Sequence, residues 1–262
     1  MMLLSPTQLN YQPKRIVSLV PSQTELLYDL ELDEYVVGIT KFCVHPAEWR
    51  KACLPGRQAK TIIGGTKNIL RERIKALQPD LIIANKEENV KEQVEVLAEE
   101  YNVFVTDIAA LNDALQMIYD VGILTHTPPK ANEIIHTIKE NFSNLIPSKK
   151  IKTAYFIWRN PYMTIGGDTF INDMLARCGL ENIFSSQTRY PSIDINDLKE
   201  KDCELLLLSS EPYPFKQKHI DELQQHLPQT KIILVDGEMF SWYGSRLIQA
   251  PAYFKRLLQE VI

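Results

Sequence analysis

Short β-branched runs alternate with amphipathic segments along this chain of 262 residues, and one long helical stretch interrupts the alternation. "RIVSLV" (15–20), "YVVGIT" (35–40), "PDLIIAN" (79–85) and "NVFVTD" (102–107) read as buried strands, with helical segments such as "ILRERIKAL" (69–77) between them. That order is the mark of parallel strands, because each parallel crossover needs a connection long enough to hold a helix. From Leu111 to Leu145 the periodicity is helical almost throughout, and Pro128 and Pro129 suit the first turn of a helix. After Pro147 the alternation resumes with strands at 151–158, 203–210 and 231–237. The expected architecture is α/β: an N-terminal lobe over residues 1–127, a linking helix over 128–148 and a C-terminal lobe over 149–262. Gly179 is placed to end the helix that follows Thr169, and Ser22 or Thr24 to cap the one after the first strand.

Composition removes several classes of function. A net charge of −4 gives no electrostatic footprint for nucleic acid or for an anionic membrane surface. No stretch approaches the 18 or so apolar residues of a membrane-spanning helix. The four cysteines, Cys43, Cys53, Cys178 and Cys203, lie far apart with no CxxC, so they read as thiols rather than a zinc ribbon or disulfide framework. No G-x-S-x-G, HExxH or P-loop occurs, and a binding protein without turnover is expected. The first residues carry a four-residue apolar run and no basic region before it, so the chain as written reads as cytoplasmic.

In parallel sheets, ligands collect beyond the carboxyl ends of the strands. Those ends are "PSQTE", "KFCVHP", "NKEEN", "RNPYM", "SSEPYPF" and "DGEMFSWYG". Cys43 and His45 are two apart, so on an extended loop both look to one side, and thiolate and imidazole are good metal ligands. The alternative is a small buried thiol and a histidine tied to its own loop. "GGTKN" (64–68) could receive an anion on its backbone N–H groups, with Thr66 and Lys67 beside it, or be a tight turn. Asn85 closes the "LIIAN" strand, and Glu87 and Glu88 read as a solvated helix start. Trp158, Arg159 and Tyr162 follow one strand, and Phe240, Trp242, Tyr243 and Arg246 follow another. Rings in these places suit a flat, partly apolar ligand, and each is equally open to a core role.

These residues carry a family resemblance. "RIVSLVPSQTELLYDLELDEYVVGIT", "ERIKALQPDLIIA" and "NPYMTIGGDTFINDMLARCGLENIF" resemble the corresponding elements of the helical-backbone (class III) substrate-binding proteins of ABC importers, and most of all its cobalamin-binding members. The likeness runs from about residue 14 to 262. It implies two Rossmann-like lobes joined by one long helix, with a ligand cleft between them. It also implies a cobalamin, haem or ferric siderophore ligand with no further cofactor, delivery to an ABC permease, and a monomer. Cys43, His45 and Trp49 fall on the loop that faces the ligand in that family, and Arg246 on a position where it often has arginine. Glu72 matches its first permease-docking glutamate. At the second docking position stands Asn196, with Asp194 and Asp197 near, so coupling to a transporter is one expectation and a cytoplasmic, uncoupled relative the other. Family members are usually exported, so a periplasmic location follows if the native start is missing.

Overall fold

The computed structural model describes residues 4–50, 59–147 and 149–261. Among them the strands form two all-parallel sheets. The first has the order β3-β2-β1-β4-β5, from β1 (Ile16–Ser18), β2 (Val36–Ile39), β3 (Thr61–Ile62), β4 (Leu81–Asn85) and β5 (Val103–Thr106). The second has the order β7-β6-β8-β9, from β6 (Ile151–Phe156), β7 (Leu180–Asn182), β8 (Leu205–Ser209) and β9 (Lys231–Val235). The helices are α1 (Pro21–Asp29), α2 (Arg71–Leu77), α3 (Lys91–Ala98), α4 (Leu111–Leu124), α5 (Pro128–Ser143), α6 (Phe170–Arg177), α7 (Ile195–Glu200), α8 (Gln217–His226), α9 (Gly237–Ser241) and α10 (Ala250–Val261). Every residue of β4 and of β8 is buried, as expected of parallel strands covered on both faces.

The chain divides into two compact units. The first takes residues up to Ile108, Asn112–Ile138 and Tyr243–Arg246; the second takes Ala109–Leu111, Lys139–Trp242 and the residues from Leu247 onward. The division therefore falls inside α5, and the chain returns to the first unit for four residues near its end. Gly244 makes that return possible: at φ +135° it lies against α1, where an added Cβ would stand 3.0 Å from the Ser22 carbonyl.

Some local expectations change. Pro21 opens α1, so Ser22 and Thr24 lie within the helix, and Thr24 Oγ1 donates to the Val20 carbonyl at 2.9 Å. Gly179 ends α6 at φ +74° as expected, and β7, not picked out in the sequence, follows at once. Both β3 and β7 are edge strands too short to leave a pattern in the sequence. Glu87 and Glu88 precede α3 by a turn instead of beginning it.

Candidate functional site

Strand order fixes where a ligand surface belongs. It reverses between β1 and β4 in the first sheet and between β6 and β8 in the second, and the crevice beyond such a switch point is where doubly wound sheets bind. The residues that matter are those on the loops leaving the strands there and on their neighbours.

In the first unit, the loop after β2 reverses the expected orientation at one residue. Cys43 is fully buried, its sulfur 3.0 Å from Thr24 Oγ1 and 3.2 Å from Thr40 Oγ1, and burial pushes its thiol pKa up. It is a packed, protonated thiol and offers no ligand to a metal. The turn made by its N–H to the Thr40 carbonyl throws Phe42 and Val44 outward, 50% and 36% exposed. Phe42 and Lys41 lie over Gly65, where an added Cβ would come within 3.1 Å of the Phe42 ring. Gly64 holds φ +109° with its Cα against the Asn68 carbonyl, so "GGTKN" is a tight turn. Trp49 is buried beneath the loop, edge-on to Tyr28 and under the Lys60 ammonium. Cys53 lies outside the described residues.

The polar residues of this unit divide into frame and surface. Asn85 gives both ends of its amide to the loop: it donates to Thr106 and accepts from the N–H groups of Glu87 and Glu88. Buried Asn89 ties the Leu19 and Thr66 carbonyls together, so the Thr66 backbone is also frame. Lys67 is exposed and donates to the Glu87 carbonyl at 2.5 Å. Glu88 is half-buried, with no side-chain hydrogen bond or ion pair among the described residues, and burial raises its carboxyl pKa against the lowering pull of Lys67. Arg246 forms a two-pronged ion pair with Glu25, at 2.7 and 3.0 Å, with side chains 9% and 13% exposed. Burial nevertheless raises the Glu25 pKa; Arg246 and, less strongly, His45 oppose the rise. His45 is half-buried on the loop after β2. Tyr243 is buried in the same returning segment.

In the second unit, Trp158 stands 41% exposed after β6 and meets Tyr213, on the loop after β8, edge to face at 5.7 Å. Tyr213 continues into Phe215 at 4.8 Å and His219 at 5.6 Å, and Tyr162 stacks on Phe156 at 5.1 Å. One terminal nitrogen of Arg159 meets both oxygens of Glu222, at 2.5 and 2.7 Å. His219 Nδ1 accepts from the Lys216 N–H at 2.8 Å, filling the place a glutamate takes in a capping box, and burial lowers its pKa. Phe240 belongs to the core: it is fully buried against Tyr155, Tyr253 and Phe254 and presents no face to a ligand. Trp242 is buried as well, its indole N–H donating to Glu211 at 2.9 Å. Phe42, Val44 and Tyr213 are strand-end residues that sequence reasoning did not single out; the aromatic density of "EPYPF" was the one available signal for Tyr213.

The positions expected to dock a permease are at the surface. Glu72 is exposed in the first turn of α2, and Asn196 is exposed in α7. The Asp197 carboxylate accepts the Asp194 N–H at 2.7 Å, completing a capping box with Asp194 as N-cap. Among the described residues no group of three or more His, Cys, Asp or Glu side chains could hold a metal ion, and no helix is long and apolar enough to cross a membrane.

Two parallel, doubly wound units with aromatic strand-end loops define a solute-binding protein of the α/β class. The chain belongs to the periplasmic binding protein family, whose sequence profile matches residues 16–231. A vitamin B12-binding protein of Pectobacterium carotovorum is 24% identical over 246 residues, covering 91% of this chain and 86% of that one. An uncharacterized ABC transporter substrate-binding lipoprotein of Bacillus subtilis, YvrC, is 28% identical over 190 residues, covering 68% and 57%. The periplasmic heme-binding protein RhuT of Roseiflexus sp. RS-1 superposes with a TM-score of 0.80 over 95% of this chain and 98% of that one, at 20% identity. That structural likeness, of the class III type, bears on the fold.

Proposed function

We propose that the chain captures a flat metal chelate, such as a cobalamin or other corrinoid, haem or an iron–siderophore complex, and delivers it to an ABC importer. The observation that carries this reading is the exposure of Phe42 (50%) and Trp158 (41%) on strand-end loops of the two units. A large ring left in water on a strand-end loop is unsatisfied apolar surface, and a planar macrocycle covers such a ring by stacking. The relatives named for vitamin B12 and heme, and the ABC transporter lipoprotein, support the same solute class and route. His45 is offered as a further contact from the first unit, with Tyr162 and Tyr213 from the second.

Trp158→Ala and Phe42→Ala are each expected to weaken binding of the chelate that the native protein takes by about tenfold or more, the loss of roughly 1.4 kcal/mol. Thermal stability should change little, since both rings are already half in water. Undiminished affinity in both variants would refute the placement of the site. A second reading, a chelate-binding protein not coupled to transport, draws on Asn196. That position lacks the carboxylate that docking asks for, and the Asp197 carboxylate beside it is engaged in its capping box. Binding of the purified protein to membranes containing its permease separates the two readings.

A further inference from the structure

We propose that His219 is the positioning residue of the aromatic wall formed by Trp158 and Tyr213: its neutral ring fixes the loop after β8, and uptake of a proton lets that loop go and weakens ligand capture. The inference concerns the second unit alone, and it rests on the proposed function only in taking that wall for ligand surface.

The loop after β8 carries Tyr213 to the edge of Trp158, with 5.7 Å between the ring centroids. At the front it is tied by the Tyr213 N–H to the Ile157 carbonyl at 3.3 Å. At the back it is tied to α8, where the Lys216 N–H donates to His219 Nδ1 at 2.8 Å. The His219 ring, 3% exposed, also fills the space behind the wall. It stands edge to face with Tyr213 at 5.6 Å and with Phe215 at 5.5 Å. Phe215 belongs to the same buried cluster as Leu223 and Leu227, so the ring joins the wall to the core.

These contacts settle the state of the ring. An Nδ1 that accepts carries no hydrogen, so neutral His219 has its hydrogen on Nε2, which lies 3.4 Å from the Tyr213 hydroxyl. A second proton can go only on Nδ1. There it faces the Lys216 N–H, donor against donor, and the loop loses its tie to α8. The ionisable groups that face the ring are Arg159 from the loop after β6, Tyr213 from the loop after β8, and Lys218 and Glu222 from α8 itself. Arg159 and Lys218 oppose a new positive charge, and the Glu222 carboxylate already has both oxygens on Arg159. A buried cation so placed is relieved by turning out into water, and Tyr213 and Phe215 then lose the ring they lean on.

The first test is made on ligand-free protein. NMR follows the titration of the His219 ring and the hydrogen exchange of the Lys216 amide, the latter as a protection factor so that the intrinsic effect of pH drops out. Protection should fall at least about tenfold between pH 7.5 and pH 5, with the midpoint of the ring. Trp158 emission, isolated by difference against Trp158→Phe, should change with it. His219→Gln keeps an acceptor for the Lys216 N–H and takes up no proton, so its protection should move less than about threefold. His219→Phe keeps a ring without the acceptor and should show low protection at both pH values. A His219 titration in the native protein that leaves the Lys216 amide and Trp158 unmoved overturns the proposal without recourse to any variant. The second test is capture of cyanocobalamin, whose charge is constant over this range. Its affinity should fall about fivefold or more from pH 7.5 to pH 5 in the native protein and stay level in His219→Gln. Equally tight binding at both pH values overturns the proposal and leaves the chelate-binding reading intact. Absence of binding at either pH counts against that reading instead, and the amide and ring titrations then decide the role of His219.

Discussion

Removing Arg246 should destabilise the first unit from a place remote in sequence. Its guanidinium meets the Glu25 carboxylate at 2.7 and 3.0 Å, and neither side chain is more than 13% exposed. Breaking one side of such a pair strands the other charge in a poorly solvating site, at a cost of about 3–5 kcal/mol. For a protein of this size that corresponds to a fall in Tm of roughly 6–20 °C. The pH dependence carries the sharper signature. Burial already holds the Glu25 pKa above 4.5, and the two contributions that Arg246 makes against that rise vanish in Arg246→Met. A carboxyl whose folded pKa lies above its unfolded one binds its proton more readily when folded, so its penalty is absent at acid pH. The penalty appears as pH climbs from 4.5 through the raised folded value. The difference in stability between native protein and variant should therefore be largest near pH 7.5 and shrink toward pH 5, followed by thermal melting at each pH. Glu25→Gln combined with Arg246→Met should recover much of the loss. A deficit below about 1 kcal/mol, or one independent of pH, would refute the placement of residues 243–246 against α1.

Three other outcomes follow from particular contacts. His219 is held neutral, with its pKa below 6.5, by burial first and then by Arg159 and Lys218, against an opposing pull from Glu222. Because the unfolded chain takes up that proton first, stability of the second unit should decline as pH falls below about 6.5; His219→Gln, which can still accept the Lys216 N–H, should flatten that decline in a melting series. At Gly64 an added Cβ would lie 2.4 Å from the Asn68 carbonyl at φ +109°, so Gly64→Ala should cost more than about 1–3 kcal/mol by chemical denaturation. Asp197→Ala removes half of the α7 capping box and should cost about 1 kcal/mol whether or not a permease is present.

The parts of this molecule legible in its sequence are those where local pattern and burial agree. β4 and β8 announce themselves because a strand buried on both faces is a continuous apolar run, and the proline pair at 128–129 marks the start of α5. The edge strands β3 and β7 hold two and three residues, too few for any period to show. On the loop after β2, alternation put Cys43 and His45 on one outward face, and the structure differs at Cys43. A turn at Thr40–Cys43 sends the thiol inward and Phe42 and Val44 outward, and only tertiary packing onto α1 decides that. Phe240 and Trp158 both follow strands and both are aromatic; one closes the core against Phe254 and the other stands in water, a difference in what packs behind them. Glu88 looked like an ordinary helix start because its burial comes from the loop that Asn85 folds around it.

The central claim, that this chain holds a metal chelate at its strand-end loops, meets its most direct test in a titration of the purified protein with cyanocobalamin, dicyanocobinamide, haemin and a ferric siderophore. Ligand absorbance and tryptophan fluorescence would be read together. The account predicts that at least one corrinoid saturates at one per chain with a Kd below about 10 µM, and that it quenches the fluorescence contributed by Trp158. Absence of saturable binding by every one of these ligands, at protein concentrations well above that Kd, would contradict it.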